Sequence, residues 1–173
     1  MVIKRKISTI SFRTSSICQT GEVISDELLD KISAAGTFNE GFATTEYVAA
    51  AHLDMAYHTD KNIITDIDKF EDQVLEDLGL IDEIEARYRS TYFGHIFAGG
   101  YSSGYYSYLW TEVLEADAFE AFKDKGLFDK ETADKLKKYV YSAGNTDDLM
   151  TQYVRFRGKE PEIEPLLKKR GLN

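Results

Sequence analysis

Both prolines of this 173-residue chain, Pro161 and Pro165, lie near its C-terminal end. Everything before residue 161 is free of the residue that deletes a helical hydrogen bond and clashes with the preceding turn. Through that stretch apolar residues recur at three- and four-residue intervals, and no clear alternation of a half-buried strand appears. The pattern predicts an all-α chain. Its length suits one domain with a genuine core, and no internal repeat is visible.

Capping chemistry divides the chain into helices. Ser25 is expected to cap the first, with Asp26 and Glu27 in its opening turn, Leu28, Leu29 and Ile32 on one face and Gly36 as the stop. A second helix is expected over about residues 40–58, through Phe42, Tyr47, Ala50 and Ala51. Asp66 heads a third, covering Phe70, Val74 and Leu78 and ending at Gly79. Residues 87–97 read as a short helix, and Gly99-Gly100 breaks the pattern. A long helix should then run over about 101–125, stopped by Gly126. The remaining expectations are 130–141 behind Asp129 and closed near Gly144, then 147–155, then 162–170 with Gly171 beyond. Residues 1–19 read as a leader and 20–173 as one helical segment without an internal boundary.

At about 100° per residue, Tyr101, Tyr105, Tyr108, Glu112 and Glu115 would share one face of the long helix. Tyr106, Trp110 and Val113 would share the opposite one. A helix apolar on more than one side is covered on more than one side, so the segment is expected to need a partner surface.

Charge and cysteine content remove several function classes. The net charge is −9, the wrong sign for gripping a phosphate backbone. Cys18 is alone, so an internal disulfide and a cysteine-based zinc finger are both excluded. A single cysteine fits a reducing compartment, and a cytoplasmic location is expected. No apolar run reaches the roughly 20 residues that span a bilayer. The first twenty residues hold Lys4, Arg5, Lys6 and Arg13, seven Ser/Thr and no acid. That composition resembles an organelle transit peptide, but no amphipathic helix emerges, and an irregular leader is the plainer reading.

Of the motifs, Gly100-Tyr101-Ser102-Ser103-Gly104 matches a nucleophile elbow in spelling only. The elbow needs a strand before it and a histidine after it, whereas His52, His58 and His95 all precede Ser102. No phosphate-binding glycine loop and no H-E-x-x-H occur. Asp54 and His58 share a helical face one turn apart, a spacing for a two-ligand metal site or, more simply, a solvated ion pair. Glu112 and Glu115 read as a solvated face. His95 with Tyr101, Tyr105 and Tyr108 is the chemical constellation. Phenols with a pKa of about 10 stay donors at neutral pH, and several of them beside an imidazole can stabilise an oxyanion. Gly99 and Gly100 would let the backbone bend toward a substrate. By periodicity alone, an aromatic stripe of this kind is more often core.

The segment over residues 87–110, opening Arg87-Tyr88-Arg89-Ser90 and continuing through Gly94-His95-Ile96-Phe97-Ala98-Gly99-Gly100-Tyr101 to Tyr105-Tyr106-Ser107-Tyr108, closely resembles the C-terminal signature of the thimet oligopeptidase family. Within it, the bacterial peptidyl-dipeptidases look most similar. Phe38-Asn39-Glu40-Gly41-Phe42, Ser142-Ala143-Gly144-Asn145 and Arg155-Phe156-Arg157-Gly158 fall in the same order, from about Thr20 onward. The resemblance implies a helical zincin-type oligopeptidase fold, a zinc ion in the full-length family and cleavage of short peptides, releasing C-terminal dipeptides. It implies that His95, Tyr101 and Tyr108 stabilise the tetrahedral intermediate, with Tyr105, Gly99 and Gly100 at the substrate.

The departure from the family is the missing H-E-x-x-H. It predicts a C-terminal portion with no metal ligands and no cofactor of its own, inactive as an isolated chain and completed by an N-terminal catalytic half. The alternatives are a non-catalytic helical module that binds peptides or self-associates, and a gene remnant without a role. Surface left uncovered by an absent half predicts a homodimer.

Overall fold

The structure, a computed structural model, describes residues 23–172. The leader expected over residues 1–19 lies outside them. The described residues are helical and contain no β-strand, which is the all-α architecture the sequence predicts.

Local chemistry accounts for most helix ends. Helix α1, Asp26–Ala35, is capped by the Ser25 hydroxyl, which accepts from the Leu28 N–H at 3.3 Å, and stops at Gly36. Helix α2 spans Glu40–Thr59, entered through a left-handed Asn39. Helix α3, Ile67–Asp77, is capped by Asp66, whose carboxylate accepts from the Lys69 N–H at 3.1 Å. A 3₁₀ turn, Ser90–Tyr92, leads into the one-turn helix α4, Gly94–Phe97. Helix α5 spans Ser107–Lys125. Helix α6, Lys130–Leu136, starts at the Asp129 cap and widens into a π-helical turn, Lys137–Tyr141. Helix α7, Leu149–Arg157, starts at the Asp148 cap, and α8, Glu164–Arg170, ends at Gly171.

Three expectations change. Residues 87–97 form no single helix but the 3₁₀ turn and α4, and the long helix begins at Ser107 rather than near 101. Tyr101 to Tyr106 instead form consecutive turns, with the Gly104 N–H donating to the Tyr101 carbonyl at 2.8 Å and the Ser107 N–H to the Gly104 carbonyl at 3.0 Å. The supposed back face of α5 is also divided, since Val113 is buried while Trp110 is exposed.

The chain's contacts gather into two compact units where the sequence marks no boundary: Asn39–Glu115 with Leu172, and, among the described residues, 23–38 with Ala116–Gly171. The division falls inside α5, so no glycine, proline or polar loop announces it. The core of the first unit joins Ala50, Ala51 and Leu53 of α2 to Phe93, Ile96 and Tyr105, with Tyr47, Tyr57, Val74, Tyr88 and Tyr108 packed around them. Burying a side chain such as Leu53 or Phe93 contributes about 1.5–3 kcal/mol. The consecutive alanines on α2 leave room for the aromatic rings. Glu71 of α3 is buried with them; it accepts from the Ser90 N–H at 2.7 Å and the Ser90 hydroxyl at 2.5 Å and pairs with Arg89. In the second unit the buried Asp117 accepts from the Tyr153 hydroxyl at 2.7 Å and from Arg157 Nε at 3.1 Å, tying α5 to α7.

Candidate functional site

The sequence-predicted constellation lies within the first unit. Helix α4 carries His95, the turns that follow carry Tyr101 and Tyr105, and the first turn of α5 carries Tyr108. The chain folds back on itself between them. The Tyr101 N–H donates to the His95 carbonyl at 3.1 Å, and the Ser102 hydroxyl donates to the Ile96 carbonyl at 2.6 Å. That reversal requires Gly99: a Cβ there would stand 2.9 Å from the His95 carbonyl oxygen and 3.0 Å from its Cα. Gly100 follows at φ +79, in the left-handed region that glycine adopts without strain. Both glycines thus serve a tight bend. Ser102, spelled like a nucleophile, is spent on a main-chain carbonyl.

The four rings assemble although Tyr101 and Tyr105 are not on the helix. The His95 ring centroid is 6.0 Å from Tyr101, 5.7 Å from Tyr105 and 6.4 Å from Tyr108. Tyr101 and Tyr108 stack at 5.0 Å with 24° between their planes. Tyr88 adds a ring 5.1 Å from His95. Depth differs sharply within the cluster: Tyr101 is 36 % exposed, whereas Tyr105 is 2 % exposed and packs against Phe93 at 5.0 Å and Tyr47 at 5.3 Å. Tyr105, expected at the substrate, is therefore a wall behind the other rings.

Two of these phenols, Tyr105 and Tyr108, are shifted further toward their donor form. Burial pushes the Tyr105 hydroxyl well above its ordinary value. The Tyr108 hydroxyl is raised as well, first by its hydrogen bond with Tyr101 and then by burial. A neutral phenol at working pH is what donation to a developing negative charge needs.

Asp54, which the sequence pairs with His58 on a solvated face, takes a different place. Its side chain is completely buried. One carboxylate oxygen accepts from the Ser103 N–H at 3.0 Å, the other from the Tyr105 N–H at 2.8 Å. His58 Nδ1 lies 2.9 Å from the carboxylate and 2.8 Å from the Asp54 main-chain carbonyl. The pair is neither the solvated ion pair nor the two-ligand metal site its spacing suggested. A signal existed: Asp54 falls three and four residues after the apolar Ala51 and Ala50, so a carboxylate interrupts a buried helical face.

Among the described residues, no group of three or more His, Cys, Asp or Glu side chains is placed to hold a metal ion. The sequence also lacks H-E-x-x-H, so the described residues do not fit a zinc centre. A separate cleft of about 300 Å³ in the other unit, lined by Asp117, Glu120, Arg157 and Lys168 among others, contains none of the predicted residues.

Comparison with known sequences decides the relationship. The profile of Peptidase family M3 matches residues 8–172, nearly the whole chain and starting ahead of Thr20. The chain belongs to Peptidase family M3. Among M3 relatives it is 42 % identical over 159 residues to dipeptidyl carboxypeptidase of Escherichia coli, covering 90 % of this chain and 23 % of that protein. It is 39 % identical over 166 residues to the organellar oligopeptidase A of Arabidopsis thaliana, covering 89 % of this chain and 20 % of that protein. To saccharolysin of Saccharomyces cerevisiae it is 29 % identical over 163 residues, covering 91 % of this chain and 22 % of that protein. This M3 chain thus spans less than a quarter of the length of these relatives.

Proposed function

We propose that this chain is the substrate-gripping and oxyanion-donating portion of an M3 metallopeptidase that cleaves short peptides in the peptidyl-dipeptidase mode. The observation that supports it is the convergence of His95, Tyr101 and Tyr108 around one partly open aromatic cluster, backed by Tyr105. In this reading the hydroxyls of Tyr101 and Tyr108 and the imidazole of His95 donate to the carbonyl oxygen of the scissile peptide bond as negative charge gathers there. Preorganised donors of this kind gain strength where water is excluded. Gly99 and Gly100 hold the bend that presents Tyr101. The metal of such an enzyme would be held by residues outside this chain, and a cytoplasmic setting, resting on the lone Cys18, belongs to the same proposal.

The test is a chimera in which residues 8–172 replace the matching region of the Escherichia coli dipeptidyl carboxypeptidase. The chimera is expected to release dipeptides. Tyr101→Phe and His95→Ala should each lower its kcat about 100-fold or more, the usual effect of deleting an oxyanion donor, with KM changed only a few-fold. Both variants retaining kcat within about twofold would sink the reading. The 173-residue chain alone is expected to show no turnover, with or without added zinc.

A further inference from the structure

We infer that Asp54 is a positioning residue for the donor cluster: its buried carboxylate fixes the turn that carries Tyr101 and Tyr105, and His58 locks the carboxylate in place. This rests on the function proposed above, because a fixed turn matters for catalysis only if Tyr101 acts on substrate.

Several features converge on the assignment. Asp54 sits mid-helix on α2, yet both its oxygens bind main-chain N–H groups lying 49 and 51 residues further along the chain. Ser103, between those contacts, has φ 55. Such a conformation strains a residue with a Cβ and persists only where the surroundings over-determine it. Here it aims the N–H groups of Ser103 and Tyr105 at one point. Main-chain N–H groups gathered in this way form an anion-binding concavity, and the anion is supplied by the protein itself.

His58 completes the arrangement. Its Nδ1 faces two acceptors, the Asp54 carboxylate and the Asp54 carbonyl, so Nδ1 carries the proton and donates. Charge-assisted hydrogen bonds of this kind are about twice as strong as neutral ones. Removing the carboxylate would leave two N–H groups without partners beside a core helix and free the turn to shift. A displacement of about 1 Å in reacting groups can cost about 100-fold in rate. Asp54 touches no substrate in this scheme; it acts through the main chain of Ser103 and Tyr105.

Amide hydrogen exchange on the full chain tests the anchor directly. In the native chain, Ser103 and Tyr105 should be protected to a level near that of the interior of α2. Free exchange of both amides overturns the inference without any variant being made. In Asp54→Asn one acceptor becomes an NH₂ group facing an N–H, and protection of these two amides should fall about tenfold relative to α2. Leu53→Ala, at the adjacent buried position, should instead weaken α2 and the turn together. His58→Ala should lower protection at the same two amides a few-fold; no change there removes histidine from the assignment. If Asp54→Asn does not fold, the native chain and His58→Ala decide.

In the chimera, Asp54→Asn should lower kcat about 10- to 100-fold with KM within about threefold, and Asp54→Glu should recover part of the loss. An effect on KM alone overturns the positioning role. An inactive chimera with native residues would defeat the proposed function, while the anchoring of the turn would still be judged by exchange.

Discussion

At the residue scale, the bend at Gly99 shows how little freedom the site leaves. The Cβ of Gly99→Ala would meet main-chain atoms of His95 at 2.9 and 3.0 Å, so the helical turn bearing the imidazole must move. Overpacking of this kind costs about 1–3 kcal/mol; urea denaturation should show that loss together with a changed near-ultraviolet tyrosine signal. The phenols supply a second expectation. Tyr105 and Tyr153 both have pKa values raised chiefly by burial. A group whose folded pKa exceeds its unfolded value contributes stability that is complete below the unfolded pKa and lost as pH rises through the folded one. For phenols that window opens above pH about 10. Thermal stability should therefore fall steeply in that alkaline range, and Tyr105→Phe should flatten the fall. For Tyr108 the leading cause is the hydrogen bond with Tyr101, so Tyr101→Phe should bring the Tyr108 titration back toward ordinary phenol behaviour in an absorbance titration at alkaline pH.

At the element scale, caps explain why several helix starts were legible. Ser25, Asp66 and Asp129, the caps expected from the sequence, each accept from the N–H three residues ahead, and so does Asp148, which was not expected as a cap. Ser25→Ala should cost about 1 kcal/mol, measured by chemical denaturation. Asp129 and Asp148 have lowered pKa values, first through the main-chain N–H of Thr132 and of Thr151 respectively. Their contribution is present above the unfolded carboxyl pKa and lost as pH falls through the folded one. Asp129→Ala and Asp148→Ala should accordingly lower Tm at neutral pH, with the difference from the native chain shrinking in acid. The start of α5 was misplaced for the complementary reason. Residues 101–106 have helical spacing, but the Asp54 carboxylate captures two of their N–H groups. A contact from another helix outweighs local propensity, which is worth only tenths of a kcal/mol per residue.

At the scale of the whole molecule, large apolar side chains remain open to solvent in both units, among them Ile63 at 90 %, Phe38 at 80 % and Phe128 at 79 % exposed. Scattered exposure is ordinary; the homodimer expected from the sequence requires some of these side chains to form a contiguous patch. Sedimentation velocity over a concentration series should reveal a reversible dimer; a monomer at the highest concentration would refute it. The sequence by itself determined the all-α class, most helix starts and the membership of His95, Tyr101 and Tyr108 in one cluster. Those features follow from period, caps and motif, each encoded within a few neighbouring residues. Only the tertiary structure decided that Tyr105 is a wall, that Tyr101 precedes the helix, and that Asp54 faces inward as the anchor of the turn. Each of those depends on which N–H groups a distant carboxylate meets, and spacing along one helix carries no record of that encounter.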